Sequence, residues 1–101
     1  MGDFIYGDFE WDEAKARYNL RAHGVSFLEA MTVFDDPLAV VKESRKHSVG
    51  EYRYVIIGMS GASASRLLLV TYTPRRRTRI ISARKLTARE RRDYESQTEE
   101  F

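Results

Sequence analysis

Arginine is concentrated in the last third of the chain, and its side chain is well suited to holding phosphate. Residues 66–92 contain ten basic residues and one acid, whereas residues 1–65 contain seven basic residues and ten acids. Nine of the ten are arginine, whose planar guanidinium group can donate two parallel hydrogen bonds to a phosphate. We therefore predict a polyanion-binding surface, and its expected contact residues are Arg66, Arg75, Arg76, Arg77 and Arg91.

The polyanion is expected to be nucleic acid rather than a membrane surface. No helical segment combines this basic character with a broad apolar face, which insertion into a lipid interface requires. The alternative is that these arginines are simply solvated and bind no ligand. The net charge of +2 does not decide between the two, because it averages an acidic first part with a basic last part.

Arg79 and Arg84 of one predicted strand are the candidate cations for a reacting phosphate. Strict alternation places Arg77, Arg79 and Ile81 on one face and Arg84 on the other, so a flat strand cannot present both to one ligand. Either a bulge or a strand end redirects one of the two, or one is structural. For Arg84, the structural alternative is an ion pair with Glu90 or another acid of the following helix.

Three residues are candidates for proton transfer, and each has a structural alternative. Histidine is a residue type suited to proton transfer at neutral pH, but His23 also stands in the last turn of a helix, which a cation stabilises. Lys15 shares a helix side with Asn19 and could replace a histidine base, or it could pair with a nearby acid. Tyr94 could stack on a base or transfer a proton, or it could pack against the sheet.

No metal site or cofactor is predicted. The chain has no cysteine, which excludes disulfides, thiolate metal sites and thiol nucleophiles. Asp8, Glu10 and Asp12 are closely spaced but not convergent, and Asp35-Asp36 before Pro37 is typical of a turn. Tyr54 and Tyr72 could stack on bases beside arginines, with core packing as the alternative.

The predicted elements follow the order β-α-α-β-β-β-β-α, an α+β fold with a mostly antiparallel sheet, because the strands are joined by short connections. Asp12, Ser26 and Thr87 are expected to cap the three helices, and Gly24 is expected to end the first. The predicted helices span about 12–22, 26–34 and 87–96. The predicted strands span about 5–11, 38–43, 52–59, 66–73 and 79–84.

The length of 101 residues fits one domain, 1–101, with a core of about 5–96 and a frayed tail from Gln97 to Phe101. The longest apolar runs, such as Leu67–Val70, have four residues, far short of the roughly 20 residues of a membrane span. The first residues, MGDFIY, have no basic start and no apolar stretch, so no secretory signal is expected. His47 is expected in a solvated polar turn.

Several motifs in a fixed order resemble the BrnT family of type II toxin–antitoxin ribonucleases. The resemblance runs from about Asp8 to Glu95. The residues that carry it are Phe9-Glu-Trp-Asp12, Lys15, Asn19, His23-Gly-Val-Ser-Phe27, Val33-Phe-Asp-Asp-Pro37, Arg79-Ile-Ile-Ser-Ala-Arg84, Glu90-Arg91 and Tyr94-Glu95. One departure is Ala22, where the family usually has a basic residue before the His-Gly pair.

The resemblance implies a RelE-like fold and RNA cleavage that inhibits translation in the bacterial cytoplasm. It also implies neutralisation by a BrnA-like antitoxin in a complex of two copies of each chain, with DNA contacted only through the antitoxin. Metal-independent cleavage would use the 2′-hydroxyl of the RNA, which requires a base, a cation at the phosphate and an acid. Arg79, Arg84, His23, Lys15 and Tyr94 are the candidate catalytic residues. The alternatives are a non-catalytic RNA-binding module and an arginine-rich protein-interaction subunit.

Overall fold

A six-stranded sheet and three α-helices form the fold in the computed structural model, which describes residues 2–44 and 50–99. His47, expected in a solvated turn, lies outside the described residues. The helices are α1 (Glu13–His23), α2 (Phe27–Thr32) and α3 (Ala88–Glu99), and a 3₁₀ turn (Val33–Asp35) follows α2. The strands are β1 (Asp3–Tyr6), β2 (Phe9–Asp12), β3 (Val40–Glu43), β4 (Tyr54–Met59), β5 (Leu67–Pro74) and β6 (Thr78–Lys85).

The strands lie in the order β1-β2-β6-β5-β4-β3, and every neighbouring pair is antiparallel except β2 and β6. The predicted α+β class with a mostly antiparallel sheet is therefore confirmed. The prediction of a single first strand is wrong. Gly7 adopts a φ of 61° and reverses the chain, so that β1 and β2 form a hairpin.

The helix caps follow the local sequence signals. The Asp12 carboxylate accepts a hydrogen bond from the Lys15 amide, and Gly24 ends α1 in the left-handed conformation with a φ of 69°. Thr87 and Glu90 form a complete capping box at α3, each side chain accepting from the backbone N–H of the other. Helix α3 continues to Glu99, three residues beyond the predicted end. The fraying of the tail stays a prediction.

One face of the sheet, here called the covered face, is packed by α1 and α2. Phe27 and Ala30 of α2 are buried there against β5 and β6, as their helical spacing predicts. Burial there removes apolar surface from water and is the main stabilising contribution. The fully or almost fully buried members of this core include Val25, Val33, Leu68, Val70, Ile80 and Ala83.

The opposite face of the sheet, here called the open face, is packed by a helix at one end only. Tyr94 of α3 lies with Leu67 and Leu86 in a small second cluster, against Ile57 and Leu69. Most of the remaining side chains on the open face are polar or charged, among them Asp3, Glu10, Thr71, Arg79 and Ser82. In the part of the chain that the structure describes, no helix is long and apolar enough to cross a membrane.

Candidate functional site

A register shift in the last strand brings Arg79 and Arg84 to the same face of the sheet. Thr71 of β5 pairs with Ser82 of β6, but the next β5 residue, Tyr72, pairs with Ile80, so Ile81 is the extra residue of a bulge. Arg79 and Arg84 pair with Thr73 and Leu69, respectively. Alternate residues of a strand share a face, so both arginines lie on the open face, as the bulge alternative predicts.

Arg79 is held by two carboxylates from the N-terminal hairpin. Its Nη1 and Nη2 atoms each donate to one oxygen of Asp3, both at 2.9 Å, and Nη1 also donates to Glu10 Oε2 at 3.1 Å. The hydrogen bonds to Asp3 and, to a smaller extent, the one to Glu10 raise the pKa of Arg79. The hydrogen bonds between Arg79 and Asp3 also lower the pKa of Asp3. Arg79 is therefore a fixed, half-buried cation.

Arg75 extends this charged network across the sheet. Its Nη2 donates to Glu51 Oε1 at 2.9 Å, and its Nη1 lies 3.7 Å from Glu10 Oε2. The hydrogen bond from Arg75 lowers the pKa of Glu51. Glu10 thus lies between two guanidinium groups, with only 16% of its side chain exposed.

Arg84 is bound to the first turn of α3. Its guanidinium group contacts both Glu90 oxygens, at 2.8 and 3.0 Å. The hydrogen bond from Arg84 and, to a smaller extent, the one from the Thr87 amide lower the pKa of Glu90 to about 2. The ion pair with Glu90 was the structural alternative for Arg84, and it joins strand β6 to the capping box of α3.

A groove of about 240 Å³ runs between α3 and the open face. Its sheet side is formed by Lys42, Val55, Ile57 and Leu69, and Glu90, Asp93, Tyr94 and Gln97 form its helix side. Tyr94 is only 9% exposed, and its hydroxyl donates to the Leu38 carbonyl oxygen at 3.2 Å. Burial raises the pKa of Tyr94, so the phenol stays protonated.

The other arginines predicted to contact RNA lie in different places. Arg75, Arg76 and Arg77 form the β5–β6 turn, and the Arg77 Nε donates to the Gly7 carbonyl oxygen. Arg91 is exposed on α3. Within residues 2–44 and 50–99, no acid pairs with Arg76, Arg77 or Arg91.

Arg66 is separated from this group by the length of the sheet. It precedes β5, at the end of that strand away from Arg75, and its Nη2 donates to the Gly24 carbonyl oxygen. Its Nε lies 3.4 Å from Glu29 Oε2. Arg66 therefore joins the ends of α1 and α2 to the sheet, and the predicted residues do not all line one groove.

Lys15 and His23 lie on α1, which packs through Ala16 against the core of the covered face. Both side chains are exposed. Among the described residues, no hydrogen bond or ion pair links either side chain to Arg79 or Arg84. Their predicted roles in proton transfer, like that of Tyr94, stay predictions.

Asn19 lies one helical turn from both Lys15 and His23, and its structural role was not predicted from the sequence. Its side chain donates to the carbonyl oxygens of Val25 and Ala83 at 2.9 and 2.8 Å, and it accepts from the Ala83 amide at 3.1 Å. It thereby takes the place of a neighbouring strand at the edge of β6. Two features of the sequence could have indicated this role: Asn19 is four residues after Lys15, and α1 has few apolar residues to face the sheet.

The remaining candidates contribute to packing and turns. Tyr54 and Tyr72 stack on each other with ring centroids 5.9 Å apart, and Phe34 packs edge-on against Tyr72, so both tyrosines belong to the covered face. Asp36 accepts from the Leu38 and Met59 amides, as its turn motif predicts. Across the described part of the chain, no three His, Asp or Glu side chains are grouped closely enough to hold a metal ion.

Comparison with known proteins agrees with the resemblance drawn from the motifs. A model of the family described as the ribonuclease toxin BrnT of type II toxin–antitoxin systems matches residues 11–90. Among solved structures, the fold is similar to that of the Brucella abortus ribonuclease toxin BrnT, with a TM-score of 0.58. The two chains are 22% identical, and the match covers 76% of this chain and 92% of that one. Comparison with curated proteins gives no match.

Proposed function

The chain belongs to the BrnT family of ribonuclease toxins of type II toxin–antitoxin systems, and from this premise we propose that it cleaves RNA on the open face, without a metal ion. The observation that carries the proposal is the bulge at Ile81, which puts Arg79 and Arg84 on one face. They are four pairing positions apart, about 13 Å along the strand. They would therefore contact different phosphates of one RNA strand.

The carboxylates on the arginines mark where phosphates would bind. Asp3 engages the Arg79 guanidinium through two parallel hydrogen bonds, the same geometry in which arginine binds a phosphate. Asp3 belongs to an edge strand whose side chains are all exposed, so an RNA phosphate can displace it at small cost in burial. Arg84 and Glu90 are arranged in the same way at α3.

The arginines without an acid partner supply the long-range attraction. Arg76 and Arg77 in the β5–β6 turn and Arg91 on α3 flank the open face at two ends, and no carboxylate among the described residues neutralises their positive charge. RNA that crosses the open face between them would pass Arg75, Arg79 and Arg84. Arg66 contacts Gly24 and Glu29 instead, so its role in RNA binding is the weakest of the set.

The partner and the cellular setting belong to the same proposal. Family membership supports an antitoxin that neutralises the enzyme, and we infer that it is BrnA-like and binds in a complex of two copies of each chain. Acidic residues of that antitoxin would pair with the arginines of the open face. The protein would act in the bacterial cytoplasm, with a RelE-like fold, inhibit translation, and reach DNA only through the antitoxin.

RNA cleavage with purified protein in the presence of EDTA tests the proposal. We expect wild-type cleavage under EDTA and a loss of about 100-fold or more in Arg79→Ala, because the cation that stabilises the charge of the transition state is removed. Arg84→Ala should lose less, because Arg84 would contact a phosphate other than the one that reacts. Arg17→Ala, an exposed arginine of α1, is the matched control and should cleave like wild type.

The outcomes separate the proposed function from its alternatives. Cleavage that requires added metal contradicts the metal-independent mechanism. Binding of RNA that weakens steeply with salt, without any cleavage, identifies a non-catalytic RNA-binding module. Binding of an acidic peptide without binding of RNA identifies a protein-interaction subunit.

A further inference from the structure

We propose that Glu10 is the general base of the reaction, the group that removes the proton from the attacking 2′-hydroxyl of the RNA. This inference rests on the proposed ribonuclease function. Such a base must lie within reach of the phosphate that Arg79 binds, and it must be an acceptor that is not closed off by the core. Glu10 on strand β2 meets both requirements, whereas His23 and Lys15 lie on α1, on the covered side of the sheet.

The position of Glu10 follows from the alternation of β2. Phe9 and Trp11 pack into the core of the covered face, so the residue between them points to the open face. There Glu10 is the direct partner of Arg79 across the parallel β2–β6 pair. The carboxylate is thereby fixed next to the guanidinium group by the pairing of two strands.

The contact between Arg79 and Asp3 shows how close a bound phosphate would come to Glu10. One nitrogen, Arg79 Nη1, donates to Asp3 Oδ2 at 2.9 Å and to Glu10 Oε2 at 3.1 Å. The two oxygens are therefore separated by less than the sum of those distances. A phosphate that takes the place of the Asp3 carboxylate would lie equally near to Glu10, and the 2′-hydroxyl adjoins that phosphate in RNA.

The surroundings keep Glu10 available as a proton acceptor. The charged groups that face it are Asp3 from β1, Arg79 from β6 and Arg75 from the β5–β6 turn, with Glu51 on the far side of Arg75. Arg75 and Arg79 hold the carboxylate in place from two sides. Displacement of Asp3 by RNA would leave Glu10 as the acid of this network nearest to the phosphate.

The chemical step is an internal displacement at phosphorus. Glu10 Oε2 takes the proton of the 2′-hydroxyl, and the 2′-oxygen forms a bond to phosphorus. The bond between phosphorus and the 5′-oxygen breaks, and that oxygen leaves with the electron pair and takes a proton from water. Glu10 returns its proton to the resulting hydroxide, and the products are a 2′,3′-cyclic phosphate and a 5′-hydroxyl end.

The test compares three variants with equal changes in charge. Glu10→Gln removes the base, Asp3→Asn removes the other carboxylate of Arg79, and Glu13→Gln changes an exposed glutamate of α1. We expect kcat to fall by about 100-fold or more in Glu10→Gln. Asp3→Asn should lower KM, because the phosphate no longer competes with Asp3, and should lose much less kcat than Glu10→Gln. Glu13→Gln should match wild type.

The pH profile distinguishes a base from a residue that only positions Arg79. Wild-type kcat should rise with pH on the acid side and then level off, and Glu10→Gln should lose that rise. Glu10→Asp keeps a carboxylate one methylene shorter, so it should keep the rise with a lower kcat, and it serves if Glu10→Gln does not fold. Products of the wild-type reaction should carry 2′,3′-cyclic phosphate ends.

Three results would overturn the role of Glu10 while leaving the enzyme a ribonuclease. The first is a kcat of Glu10→Gln within about threefold of wild type. The second is an equal loss of kcat in Asp3→Asn and Glu10→Gln. The third is a pH profile of Glu10→Gln in which kcat still rises on the acid side as in wild type. Wild-type protein that cleaves no RNA overturns the proposed function itself, and the role of Glu10 with it.

Discussion

The two faces of the sheet use the same strands for different purposes. On the covered face, Leu68, Val70 and Ile80 are almost completely buried beneath α1 and α2. On the open face, the neighbouring residues Thr71, Arg79 and Ser82 of the same two strands retain contact with solvent. Strand alternation thus separates the apolar residues from the charged ones at intervals of a single residue.

This difference separates the face that provides stability from the face on which we propose that RNA binds. Apolar burial on the covered face supplies the folding free energy and tolerates little change, since interiors are close-packed. The open face carries ion pairs in partly solvated surroundings, and such pairs contribute little to stability. Its charges can therefore serve a ligand, and substitutions on the two faces should have opposite signatures.

Phe27→Ala is expected to have the largest effect on stability. Phe27 is 2% exposed and packs edge-on against Trp11 with ring centroids 5.8 Å apart. Its truncation should lower the free energy of unfolding by about 3–5 kcal/mol, measured by urea denaturation. Lys42→Ala on the open face is the control and should change it by less than about 0.5 kcal/mol. Similar losses in both variants would remove the distinction between the faces.

Asn19→Ala sharpens the comparison at the part of β6 that does not pair with β2. It leaves the backbone groups of Val25 and Ala83 without their partners, which should cost about 2 kcal/mol and accelerate hydrogen exchange of the Ala83 amide. Asn19→Asp keeps the acceptor for that amide but loses the two donated hydrogen bonds, so it should be at least as destabilising. An unchanged midpoint in both variants would show that Asn19 does not support β6.

Glu90→Gln tests the smallest of these contributions to stability, the ion pair between Arg84 and Glu90, which should depend on pH. The pKa of Glu90 is about 2 in the folded protein, against an ordinary value of 4.5. Its stabilising effect is therefore complete above pH 4.5 and is lost as the pH falls towards 2. Glu90 is one-third exposed, so we expect solvent screening to limit the loss in Glu90→Gln to about 1 kcal/mol at pH 7.

Acid titration of the unfolding free energy provides the readout for Glu90. Wild-type stability should fall more steeply between pH 4.5 and 2 than that of Glu90→Gln, whereas Glu13→Gln should follow wild type. Parallel curves for wild type and Glu90→Gln would mean that the ion pair with Arg84 makes no net contribution.

Local signals predicted most of the elements. The caps at Asp12, Ser26 and Thr87 and the end of α1 at Gly24 depend on hydrogen bonds within a few residues, so they can be identified from neighbours along the chain. The N-terminal hairpin was missed although Gly7-Asp8 is a two-residue turn signal, because each of its strands has only four residues and the two read as one segment.

The site was only partly predictable, because its contacts join residues far apart in sequence. Arginine composition predicted a polyanion-binding surface, which stays a prediction, and alternation around Trp11 contains the information that Glu10 points away from the core. The contact between Arg79 and Asp3 spans 76 positions and requires β2 to lie beside β6. No local pattern states which strands become neighbours.

By itself, the sequence determined the α+β class, the caps of the three helices, the end of α1 at Gly24 and an excess of arginine in the last third. Tertiary structure alone decided that Arg79 and Arg84 share a face and that Glu10 lies beside the first of them. The physical reason is that side-chain direction along a strand follows from backbone geometry, whereas a bulge and a strand pairing are set by the packing of the whole sheet.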